Sequence, residues 1–463
     1  MTALHQLTAT ELLRGYAAGS FSPVDVVQAV LDRIAACEPR LHATYALAAD
    51  AALAAATASQ IRWQRGEALP LDGLPAMVKE NIATRGVPLP LGTAATTLVP
   101  ASEDAPPAAR LREAGAVILG KTTMPDYGML SSGLSSFHAL ARNPWDLTKN
   151  PGGSSAGAAA GLAAGYGPLH LGTDIGGSIR LPAGWCGVVG FKPSQGRVPI
   201  GTPYPARVAG PMTRSVADAA LAMAQLARPD WRDHMSLPPQ DIAWTRLDRD
   251  LRGLRGLRLG LLMDAGWGLP VEPEVRDAIE AAARAFEAAG AIVEPLRPFV
   301  TRAMADGVDR FWRTRAWMDI SALPADRQAL VLPFIVAWAR GGAGLRGEDV
   351  FHGYSQTLVI RAATVAACQP FDAVLSPVAP LPAFAAELPC PTNDPARPFE
   401  HIAFTLPFNM SEQPAISIDC GRTRSGLPIG LQIAGRRFDD LGVLQIARAW
   451  EQMRPVLSAC PMA

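Results

Sequence analysis

Two glycine–serine knots and one lysine carry the chemistry this sequence could perform. Ser154 follows Gly152 and Gly153, Ser178 follows Gly176 and Gly177, and Lys79 closes the apolar run Leu74-Pro-Ala-Met-Val78. Glycine adopts backbone conformations closed to other residues and lets another group approach the main chain. A glycine pair before a hydroxyl therefore suits a place where bare amides face a reacting atom. Each knot alone also fits an ordinary surface turn, because Gly and Ser dominate turns. A serine hydroxyl is a weak nucleophile until a base takes its proton. Neither knot contains a histidine, so lysine is the base to consider. At its ordinary pKa of about 10.4, only roughly one lysine in a few thousand is neutral at pH 7. Burial disfavours the charged form and lowers the value by up to ~3–5 units. Lys79, directly after an apolar strand, is placed for such desolvation.

Two other patterns compete for attention. Gly115-Ala-Val-Ile-Leu-Gly120-Lys121-Thr122 satisfies the phosphate-loop pattern. Its middle is apolar and strand-like, however, and Met124-Pro125 is a poor helix opening. Gly153-Ser-Ser155-Ala-Gly157 satisfies the nucleophile-elbow pattern, with Ser155 as nucleophile. That elbow follows a strand, whereas the loop-like Asn143-Pro-Trp-Asp-Leu-Thr-Lys-Asn-Pro-Gly precedes this one. Its histidine would have to be His234, His352 or His401, and nothing in the sequence singles these out. An esterase built on Ser155 is the weaker alternative.

The elements that would position these residues alternate between strand and helix. Thr8–Glu11 and Ser22-Pro23 read as helix starts, and the apolar periodicity after Pro23 is expected to stop at Glu38-Pro39. Residues 46–65 read as helix, 74–78 as a buried strand ending at Lys79, 106–114 as helix and 115–119 as strand. Residues 155–164 form a small-residue helix, and 169–173 a strand that delivers the second knot. A helix over 215–227 precedes an irregular stretch, 228–252. The pattern then resumes with strands near 256–263, 291–293, 372–375, 415–419 and 428–433. Helices are expected over 272–289, much of 302–368 and 438–452. The proline-rich stretch 377–398 is expected to wall or cover a pocket. Such alternation predicts an α/β layered fold. We read it as one domain over 1–463: a helical region at 1–66, a core at 73–227 and the rest of the sheet with pocket-forming helices at 253–463.

Composition narrows the function classes. The 463 residues are 49% hydrophobic, and Lys plus Arg equals Asp plus Glu at 42 each, so nothing draws the chain to nucleic acid or anionic lipid. No apolar run reaches the roughly 18–20 residues of a membrane span, and no signal peptide is read at the start. Six scattered cysteines and seven histidines without a His-x-x-x-His pair argue against a disulfide scaffold and a metal enzyme. A cytoplasmic protein without cofactor is expected, and a homodimer is compatible with the sequence.

Three stretches, Val78-Lys79-Glu-Asn-Ile, Pro151-Gly-Gly-Ser154-Ser155-Ala-Gly and Gly172-Thr-Asp-Ile-Gly-Gly-Ser178-Ile-Arg, closely resemble the amidase signature family. The two serines stand 24 positions apart, the family spacing. Gly120–Pro125, Asn143-Pro-Trp145, Gly190–Pro193, Gln413–Ser417 and Gly426–Gln432 extend the likeness over most of the chain. The resemblance implies a large mixed, twisted sheet covered by helices on both faces and an amidase acting on a small-molecule amide. It implies Ser178 as nucleophile, Ser154 as proton relay behind a cis peptide bond, and Lys79 as general base. The amides of Ile175, Gly176, Gly177 and Ser178 would form the oxyanion hole, Ser155 would support the Lys79 network, and Met129 would line the acyl pocket. Arg180 would either pair with Asp174 or hold a substrate carboxylate. Glu80, Thr123 and Met410–Gln413 depart from the usual pattern, the last two at positions expected to shape the pocket. The same fold and triad also serve the A subunit of a glutamine-dependent tRNA amidotransferase, the second function considered.

Overall fold

Apolar residues alternate along the strands, and this alternation decides which helices cover which face. Within strand β2 (Pro75–Lys79), Ala76 and Val78 join a core with helices Ala9–Ala17, Pro106–Glu113, Val216–Leu226, Pro273–Ala288 and Asp440–Met453. Met77 points the other way, into a core with helices Pro23–Leu41, Ala49–Arg65 and Ala156–Ala164. Successive strand side chains face opposite sides, and each fully buried Val, Leu or Ile contributes roughly 1.5–3 kcal/mol. A sheet buried on both faces follows. The computed structural model describes residues 3–248, 251–456, 458 and 460–462.

The other strands are β1 (Thr44–Tyr45), β3 (Val117–Thr122), β4 (Leu169–Asp174), β5 (Val189–Lys192), β6 (Val208–Thr213), β7 (Arg258–Leu261), β8 (Ile292–Pro295), β9 (Ala373–Pro377), β10 (Ala415–Arg422) and β11 (Pro428–Gly435). They form one eleven-stranded sheet in the order β1-β3-β2-β4-β6-β5-β10-β11-β9-β7-β8. The sheet is mixed: β3, β2 and β4 run parallel, as do β9, β7 and β8, while β4-β6, β6-β5, β5-β10, β10-β11 and β11-β9 are antiparallel. A single α/β domain with helices on both faces is therefore the architecture.

Several local expectations are refined. Both N-terminal capping boxes form, Thr8 with Glu11 and Ser22 with Asp25. The second helix runs past Pro39 to Leu41 and closes on His42 in the left-handed region. A proline forfeits one helical N–H, and in a last turn few further bonds are at stake. The strand read at 115–119 lies at 117–122, so Lys121 of the phosphate-loop pattern is a buried strand residue. Strands β1, β5 and β6 and helix Arg180–Cys186 escaped the sequence reading. The first two strands are very short, and Pro211 sits inside β6, opposite Leu171 of β4. Within the irregular stretch, 228–248 is loop and bend, Leu251–Leu254 is a 3-10 turn, and 249–250 lie outside the described residues. Among the described residues no helix is long and apolar enough to cross a membrane.

Candidate active site

Parallel pairing brings Lys79 to the second knot. Lys79 is the last residue of β2 and Asp174 the last of its neighbour β4, so the two C-terminal strand ends lie side by side. Ser154 and Ser155 stand where the chain enters helix Ala156–Ala164, packed behind the same strands. Lys79 is wholly buried, and its Nζ donates to Ser154 Oγ at 2.8 Å and to Thr173 Oγ1 at 3.0 Å. A longer contact of 3.5 Å reaches the Thr173 carbonyl. Burial first, then repulsion by the Arg207 guanidinium, pulls the Lys79 amine well below the ordinary lysine range, against the attraction of Asp174 and Glu80. The Gly153–Ser154 peptide bond is cis. A Cβ on Gly153 would lie 2.5 Å from the Ser132 nitrogen, so only glycine fits that junction.

Thr173 was missed as a positioning residue. Its hydroxyl accepts from both Lys79 and Asn81 Nδ2, the latter at 3.1 Å, and so orients the amine. The available signal was its place at the end of the strand that leads into the second knot. Glu80 turns away from the cavity and is hydrogen-bonded to His138 Nε2 and the Gly92 amide.

Asp174 organises the second knot. It accepts from Gly177 N at 2.8 Å and Ile179 N at 3.1 Å, and from Arg180 Nε and Nη2 at 3.0 Å each. Asn409 Nδ2 adds a bond at 2.8 Å. Burial pushes this carboxyl up, but the Arg180 charge and these donors outweigh it and hold it well below the usual carboxylate range. Arg180 also donates to Thr405 O, Gln432 Oε1 and Asn409 Oδ1 and has 0% side-chain exposure. The substrate-carboxylate role considered for Arg180 is thereby corrected: every direction of its fork is spent inside the protein. Gly177 needs a second correction. Its φ of +133° suits glycine, but its N–H is committed to Asp174. Among the described residues the amides of Ile175, Gly176 and Ser178 carry no hydrogen bond. Removing one partner of a buried pair costs about 3–5 kcal/mol. Arg180→Gln is therefore expected to lower the unfolding free energy by about that amount in a urea titration. A loss below ~1 kcal/mol would show that the pair does not hold the loop.

A cavity of about 400 Å³ opens over this machinery. Ser154, Thr173, Ile175, Gly176 and Ser178 line its floor, and Met129, Leu91, Trp312, Trp338, Phe399 and Ile402 supply apolar walls. Met129 is one of the residues walling the cavity. No side-chain hydrogen bond joins Ser154 to Ser178 among the described residues, but Ser155 N donates to the Ser178 carbonyl at 3.2 Å. Ser155 does not reach the cavity lining. Its hydroxyl is fully buried and donates to the Thr173 carbonyl at 3.3 Å, with no histidine beside it. His401, one candidate partner of the elbow reading, stacks on Trp185, and burial pulls its pKa to about 3. The proline-rich stretch 377–398 contributes no residue to the cavity, a further correction. It packs instead on the loop before the first knot, with Asn150 N bonded to Phe384 O at 2.8 Å. Helix Arg302–Ser321 walls the cavity. Neither Thr123 nor Met410–Gln413 lines it, so those departures leave the pocket untouched.

The fold and site define a class, and comparison with known proteins supplies it. The amidase family model matches residues 25–444. The A subunit of glutamyl-tRNA(Gln) amidotransferase from Myxococcus xanthus is 36% identical over 484 aligned residues, covering 97% of each chain. A bacterial aryl acylamidase of the amidase signature family superposes with a TM-score of 0.89 at 30% identity, covering 98% of this chain and 97% of that one. The peptide amidase from Stenotrophomonas maltophilia gives 0.78 at 28% identity over 99% of each chain. The chain belongs to the amidase family, enzymes acting on amide C–N bonds.

Proposed function

We propose that the protein hydrolyses a small-molecule carboxylic amide through a Ser178 acyl-enzyme, with Ser154 relaying protons to and from Lys79. One observation carries this reading: a fully buried amine 2.8 Å from the Ser154 hydroxyl, beneath a cavity that Ser178 shares. In the neutral amine, the two N–H groups serve the Thr173 carbonyl and hydroxyl, and the lone pair turns to the Ser154 O–H. Ser178 Oγ attacks the amide carbonyl as its proton passes to Ser154, and the Ser154 proton passes to Lys79. The Ser178 side chain rotates toward Ser154 for this step, since catalytic hydrogen bonds tighten only in the substrate complex. The tetrahedral oxyanion is received by the free amides of Ile175, Gly176 and Ser178. Such preorganised donors supply about 3–4 kcal/mol each. The proton returns through Ser154 to the leaving nitrogen, and water then repeats the sequence to release the acid. A fluorophosphonate probe followed by peptide mapping tests the nucleophile: the label is expected on Ser178, and a label on Ser155 would refute the assignment.

A second reading is equally supported by the relatives. The amidotransferase A subunit matches this chain over nearly its whole length, and the same site would then release ammonia for a partner. Ammonia release by the purified chain from simple amides favours the stand-alone hydrolase. Release from glutamine only when a stable partner is present favours the subunit.

A further inference from the structure

Arg207 lies at the edge of the site, and among the described residues no carboxylate pairs with it. It directly precedes β6, whose first residue, Val208, pairs with Asp174 at the start of the oxyanion loop. Its half-buried side chain lines the catalytic cavity and also a neighbouring chamber of about 420 Å³, so it stands at their junction. Among the described residues no hydrogen bond or ion pair engages its guanidinium. The charge that acts on it, that of Arg315, is repulsive. Arg315 also lines the cavity, with its guanidinium 4.3 Å from the centre of the Tyr204 ring. Asp319, one helical turn beyond Arg315, shares the wall but forms an ion pair with neither arginine. Asp174 is spent on Arg180, and Arg232, across the second chamber, is spent on Asp230 and Glu103. Burial, then Arg315, pulls Arg207 below the usual arginine range.

An unpaired, partly desolvated cation is costly to keep unless something outside the protein pairs with it. A guanidinium fork matches a carboxylate in bidentate geometry. Resting on the amide-hydrolase reading above, we propose that Arg207, seconded by Arg315, binds a carboxylate of the substrate. The preferred substrate is then an amide that also carries an acid, its carbon chain lying along the Met129 and Trp312 wall. Arg207 becomes the specificity-determining residue of the cavity, a function that the sequence left open between two roles for Arg180.

The test uses monoamides of linear dicarboxylic acids, four to eight carbons long, against simple alkyl amides of equal chain length. The wild type is expected to favour at least one monoamide by tenfold or more in kcat/KM, and Arg207→Gln to bring that ratio to within about threefold of unity. Arg207→Lys, which keeps the charge without the fork, is expected to retain an intermediate ratio. Wild-type turnover that treats every monoamide no better than its uncharged counterpart overturns the proposal and leaves the hydrolase reading standing. So does a preference that survives in Arg207→Gln. If neither series is hydrolysed, calorimetry on the full chain carrying Ser178→Ala decides. Monoamide binding that Arg207→Gln abolishes upholds the anion site while the hydrolase reading fails, and absence of binding overturns the site.

Discussion

Ser178→Ala is expected to lower kcat/KM on any amide the wild type turns over by roughly 10⁴–10⁶-fold, the range found when a nucleophile that acts as one unit with its base is removed. Ground-state binding should be nearly unchanged. The hydroxyl touches the cavity floor, but the apolar walls and the free amides of Ile175, Gly176 and Ser178 remain. Residual turnover would come from those amides polarising the carbonyl toward water. The measurement is steady-state kinetics paired with calorimetric affinity for the same amide. Near wild-type turnover with Ser178→Ala would end the acyl-enzyme proposal outright, since Ser155 is walled off from the cavity and bonded to Thr173.

Lys79→Met should be almost as damaging, with a loss of about 10²–10⁴-fold from the missing general base, and it changes the pH profile. The amine is the active form. Wild-type kcat/KM therefore rises with pH through the depressed Lys79 pKa and levels above it. That acid limb should vanish in Lys79→Met, whose residual rate no longer follows this titration. Stability carries the same signature. Between the depressed folded pKa and the unfolded value of about 10.4, the unfolded chain holds a proton that the folded one lacks, so wild-type stability rises with pH across that window. Above the window the full contribution is present; it is lost progressively as pH falls from the unfolded value to the folded one, and below the folded value no further change is expected. Lys79→Met removes this slope, so the difference between the two unfolding curves isolates Lys79 from Lys121 and Lys192, whose pKa values burial likewise draws down to about 7. An unchanged acid limb in Lys79→Met would show that some other group supplies the base.

What the sequence determined by itself was local or carried by short stretches. The helix start at Thr8 is written in residues three apart, and that at Ser22 in the proline beside it. The strand ending at Lys79 is written in an apolar run, and the two glycine–serine knots lie within 30 residues of one another. Those stretches were enough to name the family and to nominate Lys79, Ser154, Ser178 and Met129, which the fold brings to one place. Only tertiary structure decided where polar groups spend their hydrogen bonds. Arg180 could not be assigned from its neighbours, because Thr405, Asn409 and Gln432, more than 220 positions away, complete its shell. The commitment of the Gly177 amide to Asp174, the hold of Thr173 on the Lys79 amine and the unpaired state of Arg207 were equally invisible. A side chain's partners, and the lack of them, exist only once distant strands have fixed their register. Composition and spacing specify which groups a chain carries; packing alone settles which of them are left free to meet a substrate.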